Sequence, residues 1–129
     1  MATVADAMSR GLVRAEPELS LEEAARLMAS RRVGSVLVFE SDRLVGILTE
    51  RDVLRAVAEG RVSEVCVRDC MTGHPETIAP DEPIERAAAI MLHGGFRHLP
   101  VTEGLDVVGV LSMRDLMAGA IGDAAPKGV

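Results

Sequence analysis

The stretch GILTERD at residues 46–52 returns 63 residues later as GVLSMRD at residues 109–115. In each copy an apolar strand ends on a hydroxyl residue, Thr49 or Ser112, which begins a helix and is followed three positions later by an aspartate. The N-terminus of a helix carries unpaired backbone N–H groups and attracts anionic oxygens. The two copies therefore predict two equivalent places where an anion or a sugar is held.

The internal repeat extends over nearly the whole chain and needs no gap. The matches at this offset include Val4 with Val67, Asp6 with Asp69, Met8 with Met71, Pro17 with Pro80, Glu22 with Glu85 and Met28 with Met91. A register this sustained predicts two copies of one unit, at residues 1–62 and 63–122, followed by a flexible tail at residues 123–129.

The composition limits the class of protein. Hydrophobic residues make up 48% and charged residues 26% of the 129 residues, which is typical of a globular domain. The apolar runs are strand-sized, far below the ~20 residues of a membrane span, and no signal peptide is recognised. We therefore expect a soluble, cytoplasmic protein. The net charge of −6 and the presence of only two aromatic residues, Phe39 and Phe96, argue against binding to a nucleic-acid polymer.

Each copy is predicted to form a β-α-β-β-α unit. In the first copy, periodicity and turn residues predict strands at residues 12–15, 36–39 and 44–48, and helices at residues 21–30 and from Thr49 to about Gly60. The corresponding elements of the second copy are strands at residues 76–78, 99–101 and 107–111, and helices from Pro83 to residue 91 or 92 and at residues 116–121.

A unit of this size cannot cover both faces of its own small sheet. We therefore predict an α/β (α+β) fold in which the two repeats pack sheet to sheet with pseudo-twofold symmetry. Such packing creates two equivalent clefts, toward which the helices that begin at Thr49 and Ser112 point their N-termini. Pro100 stands where the first copy has Leu37, and its missing N–H predicts an edge position or a strand end.

Two cysteines and a histidine, Cys66, Cys70 and His74, fall at successive steps of four. On one continuous helix they would share a face and offer three ligands to zinc. Gly73 and Pro75 argue against a helix that reaches His74, and no fourth ligand is in view. We therefore favour two reduced thiols and expect no metal site.

These motifs, in order and in duplicate, resemble the tandem CBS (cystathionine beta-synthase-type) domain pair, also called a Bateman module, of the stand-alone prokaryotic type. The resemblance rests on Asp-x-Met at the opening of each copy and on Gly-h-h-Ser/Thr-x-x-Asp at its end, where h is apolar. It covers roughly residues 4–121. It implies a regulatory module that binds an adenosine-containing ligand such as AMP, ADP, ATP or S-adenosylmethionine. It also implies a homodimer that requires no cofactor and signals to a separate effector protein.

The resemblance also implies a set of ligand-binding residues, in which the aspartate holds ribose hydroxyls, the hydroxyl residue and neighbouring basic residues lie near phosphate, and the short strand passes the base. The second copy fits this set better, because the first copy has Gly34-Ser35 and Arg14-Ala15 at the positions of its basic and base-side residues. The predicted ligand-binding residues are Thr77, Ile78, Arg97, His98, Ser112 and Asp115, and more weakly Thr49 and Asp52.

Simpler interpretations stay open beside this one. A hydroxyl residue with an aspartate three positions later is also a capping box, which by itself stabilises a helix by roughly 1 kcal/mol. The basic residues before the second strand pair are equally well explained as solvated surface residues. A ligand-free module for protein–protein interaction or dimerisation is the alternative function. No catalytic residue is proposed, because the three histidines come without a nucleophile, metal or phosphate-binding motif.

Overall fold

A computed structural model of the chain describes residues 2–121, which form a mixed α/β fold, as the sequence predicts. In chain order the elements are α1 (Val4–Ala7), β1 (Arg14–Ala15), α2 (Leu21–Arg31), β2 (Ser35–Glu40), β3 (Arg43–Thr49), α3 (Glu50–Ala58), α4 (Val67–Cys70), β4 (Thr72–Gly73), α5 (Ile84–Gly94), β5 (His98–Glu103), β6 (Asp106–Ser112) and α6 (Met113–Ile121). The tail predicted at residues 123–129 lies outside the described residues.

The compact units of the fold do not coincide with the sequence repeats. The first unit is Leu12–Pro75, and the second combines Met1–Gly11 with Glu76–Val129. Helix α1 opens the first repeat but belongs to the second unit, while α4 opens the second repeat but belongs to the first unit. Each repeat therefore supplies its opening helix to the unit built from the other repeat.

The first unit contains a four-stranded sheet with the order β1-β2-β3-β4. Strands β2 and β3 form an antiparallel hairpin, with Leu37 opposite Ile47, and β1 runs parallel to β2, with Arg14 opposite Leu37. Strand β4 pairs with β3 through Thr72, which lies opposite Ile47. The hairpin follows from its branched apolar residues, whereas β4 consists of a threonine and a glycine and was not predicted.

The second unit repeats this plan with a shorter ladder. Strands β5 and β6 form the hairpin, with His98 opposite Ser112. Two isolated bridges flank the hairpin, one joining Ile78 to Val101 and the other joining Ser9 to Val110. The strand predicted at residues 76–78 is therefore reduced to one bridge.

Pro100 explains why this ladder is short. In the first unit the Leu37 N–H donates to the Val13 carbonyl oxygen at 2.9 Å, which extends the pairing of β1. Pro100 holds the same position without an N–H, so the ladder begins only where the Ile78 N–H donates to the Pro100 carbonyl oxygen at 3.1 Å. Pro100 thus lies on the outer side of the β5–β6 hairpin and inside β5, opposite Val110, rather than at a strand end.

A methionine after each opening helix packs on a glycine of the second hairpin strand of its unit, β3 or β6. A Cβ added to Gly46 would lie 2.5 Å from Met71 Sδ and 3.0 Å from the Thr72 carbonyl oxygen. A Cβ added to Gly109 would lie 2.5 Å from Met8 Sδ. The methionine of the opening motif and the glycine of the closing motif are therefore explained by close packing.

Each unit has its own hydrophobic core between its helices and one face of its sheet. The first core consists of Val13, Ala15, Leu21, Ala24, Met28, Val36, Val38, Leu48, Ala56, Val65 and Val67. The second core consists of Val4, Ile78, Ala87, Met91, Leu99, Val101, Leu111 and Leu116. Within residues 2–121, none of the helices has the length and apolar character needed to cross a lipid bilayer.

Candidate functional site

The two closing motifs form equivalent capping boxes at the N-termini of α3 and α6. The Thr49 N–H donates to Asp52 Oδ2 at 2.8 Å, and the Asp52 N–H donates to Thr49 Oγ1 at 3.4 Å. The Ser112 N–H donates to Asp115 Oδ2 at 2.8 Å, and the Asp115 N–H donates to Ser112 Oγ at 3.0 Å. Capping thus occurs in both units and uses one carboxylate oxygen of each aspartate.

The other carboxylate oxygen distinguishes the two aspartates. Asp52 Oδ1 lies 3.7 Å from the guanidinium of Arg55 on the next turn of α3. Helix α6 has Ala118 at the corresponding position, and among residues 2–121 Asp115 Oδ1 has no hydrogen-bond or ion-pair partner. Asp52 is 9% exposed, whereas Asp115 is partly exposed. Asp115 therefore offers an accessible oxygen to a hydroxyl donor beside the positive end of a helix.

The β5–β6 hairpin places two basic residues beside the N-terminus of α6. His98 is the strand partner of Ser112, and the Met113 N–H donates to the Arg97 carbonyl oxygen at 2.8 Å. The Arg97 side chain is exposed. The first unit has the same backbone arrangement, but residues 34–35 supply only glycine and serine there. The residues at the start of the hairpin therefore supply an exposed cation in the second unit, whereas the cation near the box of the first unit is Arg55 of α3 itself.

Thr77 and Ile78 lie on opposite faces of the second sheet. Ile78 is 5% exposed and belongs to the core, and it pairs with Val101 of β5. Side chains alternate along an extended chain, so the exposed Thr77 points to the face away from the helices. By the same alternation His98 and Ser112 point to that face. We call it the helix-free face, meaning the side of each sheet opposite its core.

The structure thus brings together Arg97, His98, Ser112 and Asp115 at one end of the second sheet. Thr77 shares their face. Its segment lies next to β5, on the side of β5 opposite to β6. The side chain of Ile78 does not share this face, because it packs in the core. The ligand contact predicted for Ile78 stays a prediction, and within its unit the side chain serves packing.

The helix-free face of the first unit carries a contact that the sequence interpretation missed. Arg14 corresponds to Thr77, and its guanidinium carbon lies 3.9 Å from the centroid of the Phe39 ring. Phe39 corresponds to Thr102 of the second unit. The repeat alignment contains both differences, but only coordinates show that the two side chains contact each other.

The cysteines form no metal site with His74 in the structure. Within the part of the chain that the structure describes, no group of three or more histidine, cysteine, aspartate or glutamate side chains is arranged to hold a metal ion. Helix α4 ends at Cys70, and Cys66 is its N-cap residue. Both thiols are free, and burial raises the pKa of the Cys70 thiol. Both residues are partly buried and lie in the first unit.

Comparison with known proteins finds the same repeat. The family model of the CBS domain matches twice, at residues 4–59 and 67–122. CBS domain-containing protein YhcV of Bacillus subtilis is 32% identical over 117 residues, which cover 90% of this chain and 84% of that protein. Other relatives are longer, and the chain spans 19% of one CBS domain-containing protein of Arabidopsis thaliana.

Solved structures with the same fold include proteins with adenosine compounds bound. A CBS domain protein from Pyrobaculum aerophilum, complexed with AMP, is 29% identical with a TM-score of 0.81, over 88% of this chain and 89% of that one. A CBS domain pair in complex with 5'-methylthioadenosine and S-adenosyl-L-methionine is 25% identical with a TM-score of 0.84, over 95% of this chain and 99% of that one.

Proposed function

The chain belongs to the CBS domain family, and on this basis we propose that it is a regulatory module that binds an adenosine-containing ligand such as AMP, ADP, ATP or S-adenosylmethionine. The observation that carries the proposal is Asp115 Oδ1, which has no hydrogen-bond or ion-pair partner among residues 2–121 and lies at the N-terminus of α6 beside two basic residues. Structural relatives with AMP and with S-adenosyl-L-methionine bound support this ligand class.

Each residue of the proposed site has a role that its position allows. Asp115 Oδ1 accepts hydrogen bonds from the ribose hydroxyls while Oδ2 keeps the cap. Arg97, with its forked donors, and His98 bind phosphate oxygens near Ser112, where the dipole of α6 also favours negative charge. Thr77 lies on the base side of the same face, and Ile78 fixes the Thr77 segment through its bridge to β5.

The weaker site of the proposal is the box of Thr49 and Asp52. Its second carboxylate oxygen lies close to Arg55, and residues 34–35 beside the box are a glycine and a serine. A ligand there would have to displace or share Arg55 and would lack a phosphate partner at residues 34–35. We therefore rank this site below the one at Asp115.

The decisive experiment compares two variants that make the same structural change. Asp115→Ala and Asp52→Ala each remove the carboxylate of one capping box, so each serves as the stability control of the other. Isothermal titration calorimetry with AMP, ADP, ATP and S-adenosylmethionine should show at least tenfold weaker binding for Asp115→Ala and little or no loss for Asp52→Ala. Equal losses would overturn the ranking, and no binding by the unmodified protein at millimolar concentration would overturn the function.

We also propose that the module acts as a homodimer on a separate effector protein in the cytoplasm, requires no cofactor and does not catalyse a reaction. Exposed apolar side chains favour self-association, because Leu54 and Val57 on α3 are 67% and 54% exposed and Met117 on α6 is 56% exposed. Light scattering at micromolar concentration should give twice the mass of 13.7 kDa, and Leu54→Glu should lower it. A monomeric unmodified protein would overturn the dimer.

A further inference from the structure

We propose that Arg14, stacked on Phe39, occupies the helix-free face of the first unit and closes it to an adenosine ligand. The proposal rests on the adenosine-binding function above. It extends that function because it names a residue that decides how many ligands one chain binds.

The position of Arg14 follows from strand pairing. Arg14 is the parallel partner of Leu37, so their side chains share a face. The neighbours of Leu37 in β2, Val36 and Val38, belong to the first core. Arg14 therefore points to the helix-free face, on which Thr49 also lies by alternation in β3.

The guanidinium leans away from the capping box of α3. It lies 3.9 Å from the centroid of the Phe39 ring, and Phe39 follows Leu37 by two residues in β2. Ser35, the strand partner of Thr49, precedes Leu37 by two residues and therefore lies in the opposite direction along the strand. Four residues of a strand span ~13 Å. Arg14 is therefore not placed as a phosphate ligand for the Thr49 box. It lies instead along the part of the face that in the second unit corresponds to the base side.

The two units differ at both partners of this contact. The second unit has Thr77 and Thr102 in place of Arg14 and Phe39, so two short side chains replace a planar cation and a planar ring. Among residues 2–121 the Phe39 ring is the only interaction partner of the Arg14 side chain. A guanidinium stacked on an aromatic ring takes the room and the stacking partner that a flat base would need.

The test measures the number of ligands bound by the full chain. AMP, ATP and S-adenosylmethionine are titrated separately by calorimetry into the unmodified protein, into Arg14→Thr and into Arg43→Thr. Arg43 is exposed and has no ion pair among the described residues, so it is the matched control. We expect one ligand per chain for the unmodified protein and for Arg43→Thr, and two for Arg14→Thr.

The reciprocal variant applies the same logic to the second unit. Thr77 is exposed, so Thr77→Arg is expected to fold, which far-UV circular dichroism checks. If a long cationic side chain at this position closes the face, binding to Thr77→Arg should weaken at least tenfold. A Thr77→Arg variant that binds as tightly as the unmodified protein would count against the proposal.

The possible outcomes separate this proposal from the proposed function. One ligand bound by both the unmodified protein and Arg14→Thr, or two bound already by the unmodified protein, would overturn the role of Arg14 and leave adenosine binding intact. Binding by Arg14→Thr alone would support the role of Arg14 and overturn the ranking of the two sites. No binding by any of the proteins would overturn both.

Discussion

The N-termini of α3 and α6 have the same capping box and different surroundings. Both boxes use a hydroxyl residue and one carboxylate oxygen of an aspartate, with a shortest N–H to carboxylate distance of 2.8 Å in each. The surroundings differ at four of the positions discussed above, where Gly34, Ser35, Arg55 and Arg14 of the first unit are replaced in the second. The Ser/Thr-x-x-Asp motif therefore indicates the N-terminus of a helix in both units. The neighbouring side chains carry the difference that matters for a ligand.

The largest expected effect tests a feature that the two units share. Gly46→Ala and Gly109→Ala should each lower the free energy of unfolding by about 1–3 kcal/mol, because the added Cβ meets a methionine sulfur and a backbone carbonyl oxygen. Urea unfolding followed by circular dichroism measures the loss. Gly11→Ala is the control, since a Cβ there meets nothing within 4 Å. Losses no greater than that of the control would contradict the packing argument.

The next effect tests the basic residues that only the second unit has. Replacing Arg97 and His98 by the glycine and serine of the first unit should weaken AMP binding roughly 10- to 100-fold, as expected for the loss of charge-assisted hydrogen bonds. Adenosine, which lacks the phosphate, should bind both proteins with similar affinity. Calorimetry with the two ligands makes the comparison. An equal loss for AMP and adenosine would mean that these residues do not contact phosphate.

A smaller effect tests the equivalence of the two caps. Asp52→Ala and Asp115→Ala should each destabilise the protein by about 1 kcal/mol, because each removes the acceptor for the N–H of its capping residue. Thermal and urea unfolding without ligand give these values. Losses that differ several-fold would contradict the equivalence of the two caps. The binding comparison would then use Asp52→Asn and Asp115→Asn, which change the side chain less.

The smallest effect concerns acid and the caps of the opening helices. Asp6 and Asp69 accept the Thr3 and Cys66 backbone N–H groups, each at 2.9 Å, and these hydrogen bonds lower the pKa of both carboxyls. A lowered folded-state pKa means that the unfolded chain takes up the proton first. Their stabilisation is therefore complete above the ordinary carboxyl pKa and is lost as the pH falls through the lowered values. The melting temperature, measured by thermal unfolding between pH 2 and 6, a range of ~4 units around that pKa, should fall as the pH is lowered. It should fall less steeply for the Asp6→Asn, Asp69→Asn double variant than for the unmodified protein.

One acid-sensitive contact belongs to the first unit alone. Arg68 lies 2.7 Å from Glu18 and 2.9 Å from Glu40, and its guanidinium lowers the pKa of Glu18. The second unit has Ala5 at the position of Arg68. In an Arg68→Ala variant the melting temperature should therefore depend less steeply on pH over the same range. A pH dependence identical to that of the unmodified protein would show that the ion pairs are solvated and contribute little to stability.

The four longer helices and the two strand hairpins could be predicted from the sequence because their residues alternate or recur with regular periods. Ser20, for example, caps α2 as its position before two glutamates suggests, with the Glu23 N–H donating to Ser20 Oγ at 3.1 Å. The capping boxes were also visible, since both partners lie three residues apart. Local chemistry was sufficient wherever the contact was local.

Features that depend on distant residues could not be predicted in the same way. Strand β4 has no strand pattern and exists because the segment after α4 packs on Gly46. The ladder at residue 78 is short because Pro100 has no N–H to donate to it. The two segments are more than twenty residues apart in the sequence. The stacking of Arg14 on Phe39 likewise joins two strands. Of the candidate site, the residue types were predictable. The burial of Ile78 was not, nor was the finding that no residue between 2 and 121 pairs with Asp115 Oδ1.

The exchange of α1 and α4 between the units bears on the origin of the duplicated chain. Each unit contains a helix from the other repeat, so a half-length chain of residues 1–62 would lack the helix that completes its own core and would carry one that fits elsewhere. Two identical half-length chains would satisfy both needs by trading their first helices, as in domain-swapped dimers. The modern chain is what the fusion of two such partners would leave, with an intermolecular exchange preserved inside one polypeptide.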